Sequence, residues 1–373
     1  MFLSSPTTED ILQSVSEFSP AEGQVFFILL GERSAVSIPE MIDGLKCRGI
    51  SFFGGMFPGV IHGDAYYDNG ALIIGMPMLH APIVIKELTS ATELFPEIST
   101  TVDNISYKCT ALLLVDGLAA GISPFIQNLF DRYGNVVNYL GGGAGSLSLQ
   151  QGPCLFSNEG FFQNAAIVTL VRLKSALGVQ HGWQKHAGPL VATRTHGNVI
   201  DELNWENAFD IYQNIVEASS GRTLTPENFF SISKGYPFGI MKEESEDIVR
   251  DPISVNQGKE IVCVGEVPEN AVLNVLKGTK SQLIEAAGKA AEQCLEQCSA
   301  GEHFQGIVFD CISRVLYLED EFTDELSAIQ GRIHARYPGV EVAGVLSIGE
   351  ISSYGDGYLE LFNKTAVVGL LYK

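Results

Sequence analysis

Apolar and polar positions along this chain repeat one order of segments three times: an apolar strand, a helix-compatible stretch, a glycine-rich apolar strand and a closing apolar strand led by Asn. The first copy reads VFFILLG, PEMIDGLK, ISFFGG and NGALIIGM, beginning at Val25. The second reads ALLLVDG, SPFIQNLFDRYG, NVVNYLGGGAG and NAAIVTLVRL from Ala111. The third reads GIVFDCISR, DELSAIQGRIHARYPG, VEVAGVLSIGE and NKTAVVGLLY from Gly306. Copies of one such unit bury each other's faces, so the pattern predicts three βαββ units that pack together.

Several of these strands are apolar at both odd and even positions. GALIIG and AAIVTLV show this, and a strand of that kind is buried on both faces of its sheet. Helix–sheet–sheet–helix layering satisfies the requirement. We therefore expect an α+β fold (mixed α/β), in which mixed or antiparallel sheets built from the repeated units are layered with helices. The leading residues Asn69, Asn164 and Asn363 are predicted to serve turn geometry.

The segments outside the copies add further elements. MFLSSPTTEDILQSVSEF predicts an N-terminal helix with Ser, Thr and Pro at its entry. Ala81 begins a hairpin-like stretch, APIVIKELTS, and GPLVATRTHGNVIDEL predicts two strands around a His-Gly-Asn turn. Helices are predicted for NWENAFDIYQNIVEA and for the segment that ends at Cys298. Periodicity breaks at GVQHGWQKHAGP, which predicts two domains, 1–180 and 181–373.

Composition narrows the class of protein. The 373 residues are 46% hydrophobic, which is enough for a large core. A formal net charge of −21 repels polyanions and anionic lipids, so we expect no nucleic-acid partner. No apolar run reaches the ~18–20 residues that span a bilayer, so membrane insertion is not expected. Seven scattered cysteines and a start without a basic-then-apolar leader favour the cytoplasm, a reducing compartment.

Neither a metal nor a cofactor is expected from the pattern. Cys294 and Cys298 lie about one helical turn apart, but no second Cys or His pair with zinc-ligand spacing follows them. The glycines at 141–143 and 145 follow a strand, yet they match neither nucleotide-binding pattern and no helix pattern begins after them. The backbone N–H of Gly142 could still hold a small anion such as a carboxylate.

A series of short motifs follows in a fixed order from His181 to the end of the chain. They are HGW at His181, VATRTHGNVIDEL from Val191, YPFGI from Tyr236, VRDP from Val249, FDCISR from Phe309, GEI from Gly349 and FNKT from Phe362. This succession resembles the FIST family, whose proteins pair an N-terminal with a C-terminal FIST domain, and the resemblance extends over nearly the whole chain. It implies a sensory, ligand-binding role in intracellular signalling, with small molecules such as amino acids as ligands. Some family members are fused to signalling output domains; because no room remains for one after Lys373, we expect a separate output partner.

Three charged residues are candidates for holding a polar ligand. Glu350, in SIGEIS, lies at a turn where the other two copies carry glycine, and its carboxylate suits an ammonium group or general-base work. Arg314, after the strand GIVFDCIS, and Arg250, in IVRDPIS, are suited to clamping a carboxylate. Each has a structural alternative: backbone capping for Glu350, and salt bridges to acidic neighbours for the two arginines.

The remaining candidates are less polar. Cys311 is flanked by apolar residues and suits either core packing or nucleophilic attack beside a cation. His181 and Trp183 lie together in GVQHGW, where they could line a pocket or pack at the domain junction. Tyr354 is a candidate for an apolar wall. With Gly142, these residues are predicted to form a ligand site near the third copy.

The leading hypothesis is a cytoplasmic sensory protein that binds a small polar metabolite, such as an amino acid, between its halves. In one alternative the chain is a hydrolase or transferase that uses Cys311 or Glu350 in the same cleft, although no Ser-His-Asp or Cys-His order is legible. In another it is an interaction module whose acidic surface binds a basic partner without a ligand.

Overall fold

Helices form at the stretches where the sequence predicts them, and in the part of the chain that the structure describes two further short helices form outside those stretches. The computed structural model describes residues 1–18, 20–88, 109–242, 246–298, 303–354 and 358–373, with the backbone alone at 303, 304, 354 and 358. The α-helices in these ranges are α1 (Thr8–Glu17), α2 (Ile38–Cys47), α3 (Ile122–Tyr133), α4 (Ala208–Ser220), α5 (Phe229–Ser233), α6 (Lys280–Gln297), α7 (Ile312–Leu318) and α8 (Phe322–Arg336). None of these described helices is long and apolar enough to cross a membrane.

Strands make up most of the remaining regular structure. In the first half they are β1 (Phe2–Leu3), β2 (Gln24–Gly31), β3 (Phe52–Phe57), β4 (Gly59–His62), β5 (Ala65–Tyr67), β6 (Ala71–Lys86), β7 (Cys109–Asp116), β8 (Val137–Ala144), β9 (Leu155–Ser157), β10 (Gly160–Phe162), β11 (Ala165–Val171) and β12 (Lys174–Gln180). In the second half they are β13 (Gln184–His196), β14 (Val199–Leu203), β15 (Glu206–Asn207), β16 (Phe238–Ile240), β17 (Ile248–Val255), β18 (Ile261–Val264), β19 (Val272–Lys277), β20 (His303–Cys311), β21 (Val342–Ser347), β22 (Glu350–Tyr354), β23 (Tyr358–Phe362) and β24 (Ala366–Tyr372).

Capping residues determine where two of the helices begin. At α1 the Thr7 side chain accepts a hydrogen bond from the Asp10 N–H, and the Asp10 carboxylate accepts one from the Thr7 N–H at 2.8 Å. At α6 the same reciprocal pair forms between Thr279 and Gln282. Such capping boxes satisfy backbone donors that the first helical turn leaves unpaired, so these helix starts follow from local sequence.

The three predicted βαββ units are confirmed, and they share one strand arrangement. The first unit contains β2, α2, β3 and β6; the second contains β7, α3, β8 and β11; the third contains β20, α7, α8, β21 and β24. In each unit the opening strand is central. It runs parallel to the second strand and antiparallel to the closing strand.

In every unit a hairpin lies between the second and closing strands, and this hairpin pairs with a strand of a different unit. The hairpin of the first unit, β4–β5, pairs with β21 of the third. The hairpin of the second, β9–β10, pairs with β3 of the first. The hairpin of the third, β22–β23, pairs with β8 of the second. The exchange is therefore cyclic, and it interlocks the three units.

The units form the two sheets of a four-layer core. Within the described residues, one sheet has the order β10-β9-β3-β2-β6-β11-β7-β8-β22-β23 with β1 beside β6, and the other has the order β12-β24-β20-β21-β4-β5. Side chains such as Phe27, Leu114 and Phe309 fill the space between them. Helices α1, α2 and α3 cover the outer face of the first sheet, and α6 and α8 cover that of the second. The predicted α+β fold and its layering are confirmed.

One local prediction is wrong. The stretch from Ala81 does not form a hairpin, because β6 continues without a turn as far as Lys86. Its second part pairs with β11, which joins the first two units into one sheet. The last two residues of the predicted hairpin, Thr89 and Ser90, lie outside the described residues.

Residues between the second and third units form a small antiparallel barrel. Its strand order is β13-β19-β16-β17-β18-β14-β15. The ladder closes because the long strand β13 pairs with β19 along its first part and with β14 along its second. Apolar side chains from the barrel pack with those of α4 and α5, including Phe209, Tyr212 and Phe229. Strand β17 brings the barrel against the third unit, where Asp251 lies 3.2 Å from Lys364.

Candidate functional site

A set of buried polar side chains lies at the carboxyl ends of the parallel strands β20 and β21. Strand β17 of the barrel, α7, α8, β22 and the turn before β24 all contribute to it. We call this set the buried polar cluster; its members are Asp251, Asp310, Ser313, Arg314, Glu325, Ser347, Glu350, Asn363, Lys364 and Thr365. Burying a charge is costly unless it is paired or neutralised, so the partners of each member decide what the cluster can do.

Arg314 lies in the first turn of α7 and is fully buried. Its Nε and Nη2 donate to the two carboxylate oxygens of Glu325 at 2.8 and 2.5 Å, a bidentate pair. Its other N–H groups donate to the backbone carbonyls of His181, Lys364 and Leu283 at 2.8, 3.0 and 2.9 Å. All five N–H groups of the guanidinium thus have protein acceptors, and this arrangement leaves none for a ligand.

The cluster holds more carboxyl groups than cations. Asp310 lies 3.5 Å from Arg314 Nε, and neither carboxyl oxygen has a hydrogen-bond partner among the described residues. Burial, with the nearby Glu325, raises the pKa of Asp310 well above its ordinary value. Ser347 Oγ lies 2.7 Å from Glu350 Oε1, while Oε2 is unpaired within the described part of the chain. Burial raises the pKa of Glu350 to about 8, so this carboxyl is mainly protonated at neutral pH, and burial disfavours the ionised form of Asp310 as well.

Lys364 is the second buried cation of the cluster. Its Nζ lies 3.2 Å from Asp251 Oδ2, donates to the Lys234 carbonyl at 3.0 Å and sits 5.3 Å from the centre of the Trp183 ring. Burial raises the pKa of Asp251, and the positive charge of Lys364 opposes that rise. Ser313 Oγ also donates to Asp251 Oδ2, at 2.8 Å. One carboxylate thus holds the barrel, α7 and the turn before β24 together.

Cys311 occupies the N-cap position of α7 and is buried. Burial, followed by the nearby Glu350 carboxyl, raises the pKa of its thiol above the ordinary value. A thiol in such surroundings stays protonated, whereas nucleophilic attack requires the thiolate. This environment disfavours the alternative in which Cys311 attacks a substrate.

His181 and Trp183 connect the barrel to the third unit. His181 Nδ1 accepts the Trp183 backbone N–H at 2.8 Å, and its Nε2 lies 3.0 Å from the Asp247 carbonyl. Burial and the positive charge of Arg314 lower the pKa of His181 to about 4, so its ring is neutral. Trp183 Nε1 donates to the Lys364 carbonyl at 3.4 Å. Both side chains therefore have structural partners at this junction.

The other predicted site residues lie around the cluster. Arg250, in β17, donates from Nε to the Glu266 carbonyl at 2.7 Å and from Nη1 to the Leu361 carbonyl at 3.1 Å. Gly142 lies within β8, where it pairs with the exchanged strand β22. Tyr354 ends β22, and its side chain lies outside what the structure describes.

A cavity of about 250 Å³ lies beside the buried polar cluster. Three parts of the chain line it: the loop after β7 with the start of α3, the turn after β21 with Leu361 and Asn363, and the barrel strands β17 and β18 with neighbouring loops. Sheets that contain parallel strands commonly bind ligands at the carboxyl ends of those strands. The ends of β7 and β21, from two different units, meet at this cavity.

Asn363 provides an unpaired polar group in this cavity. Its amide lies between the lining glycines Gly265 and Gly349, whose φ values are 81° and 87°. A Cβ atom at Gly265 would lie 3.1 Å from Asn363 Oδ1, and one at Gly349 would lie 3.6 Å from Nδ2. Asn363 is 1% exposed, and neither amide atom has a hydrogen-bond partner among the described residues. An unsatisfied buried group costs about 1–3 kcal/mol, so a ligand that both donates and accepts would stabilise the site.

The N-terminus of α3 reaches the same cavity. Ile122 and Ser123, the first two residues of the helix, line it. The N-cap residue Gly121 offers no side chain to accept their N–H groups. Unpaired amides and the helix dipole favour a negatively charged group at such a position. The cavity thus combines an anion-favouring helix end, a neutral amide and the acidic residue Glu266.

The structure brings the predicted site residues together only in part. Arg314, Glu350 and Cys311 meet at the buried polar cluster, and Arg250 reaches its edge through β23. None of these four side chains is among the residues that line the cavity. Their partners are parts of the protein itself, and their role as ligand contacts stays a prediction.

Sequence reasoning misses two residues of this region. Asp310 interrupts the apolar strand GIVFDC. A carboxylate inside such a strand is unusual, so the sequence pattern could have identified Asp310 as a candidate. Asn363 lies in the FNKT motif, but a leading Asn in a turn already has an adequate structural explanation. The loop after β7 reads GLAAG and carries no chemical signal at all. Its role emerges only from its position.

Protein-family models match most of the chain. The FIST N domain model matches residues 25–206, and the FIST C domain model matches residues 208–353. A comparison with curated proteins finds no match. The loop after β7 lies in the first matched segment, while β18 and the turn after β21 lie in the second. Both segments therefore contribute to the cavity.

Proposed function

Because the chain belongs to the FIST family, we propose that it senses a small polar metabolite in the cavity beside Asn363. FIST domains are known as sensory domains of signal-transduction proteins. The ligand in this proposal is an amino acid or a carboxylate of similar size. The protein works in the cytoplasm and passes its signal to a separate output protein.

The unpaired amide of Asn363 carries this proposal. It is buried, both of its polar atoms lack partners among the described residues, and it lies in a cavity between three parts of the chain. A buried polar group without partners is costly, and in a native structure it calls for an explanation, such as a bound partner or a chemical role. A metabolite that accepts from Nδ2 and donates to Oδ1 satisfies the amide.

One end of the cavity fits the carboxylate of a small metabolite, and Glu266 in the lining suits the ammonium group of an amino acid. Ile122 and Ser123 at the start of α3 provide a position that favours negative charge. The volume of about 250 Å³ lies just below the range of ~300–1,000 Å³ for sites that hold drug-sized ligands. Apolar lining residues such as Leu118 and Ile253 suit the carbon skeleton of a small metabolite.

The position of the cavity suits a sensory role. Its lining comes from the second unit, the third unit and the barrel. A ligand shifts a conformational equilibrium only by its difference in affinity for the two states. A ligand that contacts all three parts favours the arrangement in which they are close together, and a partner could recognise that arrangement.

Thermal-shift screening with amino acids and small organic acids, followed by titration calorimetry, tests the proposal. A true ligand at a hundred times its dissociation constant stabilises the fold by ~2.7 kcal/mol. We expect Asn363→Leu to weaken binding at least tenfold, which is ~1.4 kcal/mol, since it removes both amide contacts. The matched control is His334→Ala, which lies in a separate cleft lined by Met1 and α8 and should leave the affinity unchanged. A panel without any stabilising compound, or equal binding by Asn363→Leu, would contradict the proposal.

A further inference from the structure

We propose that His196, Asp201 and Glu260 form a binding site for a divalent transition metal on the surface of the barrel. The candidate ligand atoms of these three side chains all lie within 4.8 Å of one another. The sequence pattern predicts no metal site, because these residues are separated along the chain and match no ligand motif. This inference does not depend on the proposed ligand of the cavity.

Strand pairing brings the three residues to one place. His196 ends β13, Asp201 lies in β14 and Glu260 immediately precedes β18. The β13–β14 ladder pairs Thr195 with Ile200, and the β14–β18 ladder pairs Ile200 with Ile261. His196, Asp201 and Glu260 are therefore each adjacent in sequence to one of these paired residues. Adjacent strands of a rigid barrel present side chains at fixed spacing, as a metal site requires.

Neighbouring side chains orient both carboxylates. Arg194 Nε lies 3.3 Å from Asp201 Oδ2, and Asn256 Nδ2 donates to Glu260 Oε2. His196 Nδ1 lies 3.1 Å from Asp201 Oδ1 and forms a hydrogen bond with Asp201 Oδ2 at 3.2 Å. Asp201 Oδ1 is buried and has no hydrogen-bond partner among the described residues. Such contacts beyond the ligands fix ligand orientation in metal sites. They hold the Asp201 carboxylate beside the imidazole and leave its Oδ1 available to a metal ion.

The donor set selects the class of metal. One imidazole nitrogen and two carboxylate oxygens suit Zn²⁺ and related transition metals, whereas Ca²⁺ takes oxygen ligands alone. Arg194 also pairs with Glu202, at 2.9 Å from Nη2, so it offsets only part of the charge of the two ligand carboxylates. The remaining negative charge favours a divalent cation. His196 is exposed, so the remaining coordination positions are open to water.

The site adjoins segments that line the cavity. Gly197 and Asn198 directly follow His196, and Cys263, Val264 and Gly265 follow Glu260 along β18. A metal that joins β13, β14 and β18 would restrain both segments. Metal binding is nevertheless measurable on its own, so its failure and the failure of the proposed ligand site are distinguishable.

Calorimetric titration of the metal-free full chain with Zn²⁺ tests the inference. All variants carry Cys47→Ser, because Cys47 is an exposed free thiol that could bind zinc by itself. We expect one saturable site per chain, and at least tenfold weaker binding in His196→Ala and in Asp201→Asn. The matched control is His62→Ala, since His62 also lies beside a carboxylate, that of Glu341 at 3.9 Å, but belongs to no described three-ligand group.

Three results would overturn the inference. One is no saturable zinc binding to the parent chain. Another is unchanged binding in both His196→Ala and Asp201→Asn while their thermal unfolding matches the parent, which would place the zinc elsewhere. The third is Ca²⁺ binding that is tighter than Zn²⁺ binding and insensitive to His196→Ala, which would show that the imidazole is not a ligand.

Discussion

At the scale of single residues, the buried polar cluster has an excess of acidic groups. Its carboxyls and cations are Asp251, Asp310, Glu325 and Glu350 against Arg314 and Lys364. Two carboxyls thus lack a full counter-charge, and burial makes their ionised forms unfavourable. Glu350, with one oxygen unpaired among the described residues, is one of these. The stability of the fold should therefore depend on pH.

Replacing Glu350 by Gln should remove part of this pH dependence. Burial raises the pKa of Glu350 from 4.5 to about 8, so the native state holds a proton that the unfolded state releases between these values. The free energy of unfolding of the parent protein should fall as pH rises through that window. Gln at position 350 does not titrate. The free energy of unfolding of Glu350→Gln, relative to that of the parent, should therefore rise with pH through this window, by on the order of 1.4 kcal/mol per pKa unit and by a few kcal/mol in total.

Urea unfolding at several pH values between about 5 and 9 measures this difference. The control is Glu22→Gln at an exposed position, whose curve should run parallel to that of the parent. Parallel curves for Glu350→Gln and the parent would mean that Glu350 is ionised in the fold, contrary to its surroundings.

At the scale of elements, the glycines of β8 allow close packing between strands and units. A Cβ at Gly141 would lie 1.8 Å from the Leu113 carbonyl oxygen, and one at Gly143 would lie 2.0 Å from that of Ile348. Gly143 also exchanges backbone hydrogen bonds with the turn after β21, at 2.8 and 2.9 Å. The glycine run therefore brings the second and third units together, and the sequence pattern alone does not distinguish this role from anion binding.

Gly141→Ala should accordingly destabilise the protein, by about 1–3 kcal/mol or more, because the added methyl group meets backbone that cannot yield easily. Gly152→Ala is the matched control, since a Cβ there meets no atom within 4 Å. Its effect should stay within about 0.5 kcal/mol. Urea unfolding of both variants measures this difference. Equal losses of unfolding free energy in the two variants would show that close packing at β8 does not require glycine.

At the scale of the whole molecule, the cyclic exchange of hairpins joins distant parts of the chain. Strand β4 pairs with β21, β12 pairs with β24, and β22 pairs with β8. All three pairings cross the predicted boundary at 180/181, which remains a prediction. Backbone groups on an unpaired strand edge are exposed to water and to other chains.

Segments 1–180 and 181–373 produced separately should therefore fail to fold, whereas the two produced together should assemble. Each segment alone leaves sheet edges and apolar side chains of the inter-sheet core uncovered. Circular dichroism with thermal unfolding of the single segments, and co-purification of the pair, test this expectation. Cooperative unfolding of either segment alone, as in an independent domain, would contradict it.

Local sequence was enough to predict most of the helices, the strands of the three units and their layering, although not the uninterrupted course of β6 or the exchanged hairpins. Periodicity places helices and strands because each responds to neighbours a few residues away, and Thr7 with Asp10 determines the start of α1 by contacts three residues apart. Strands that are apolar at every position, such as β11, require cover on both faces, which predicts the four layers. The ordered motifs predict the family, which the family models confirm.

Only the tertiary structure decided which residues meet. Arg314 is suited by type to bind a ligand carboxylate, but Glu325 and three backbone carbonyls occupy its donors. Asn363 resembles an ordinary turn residue until the glycines beside it open a cavity around its amide. Loops of different units form that cavity, and residues as distant as Gly117 and Asn363 line it. Periodicity records the local environment of a residue, whereas contacts across such distances depend on how the interlocked units pack.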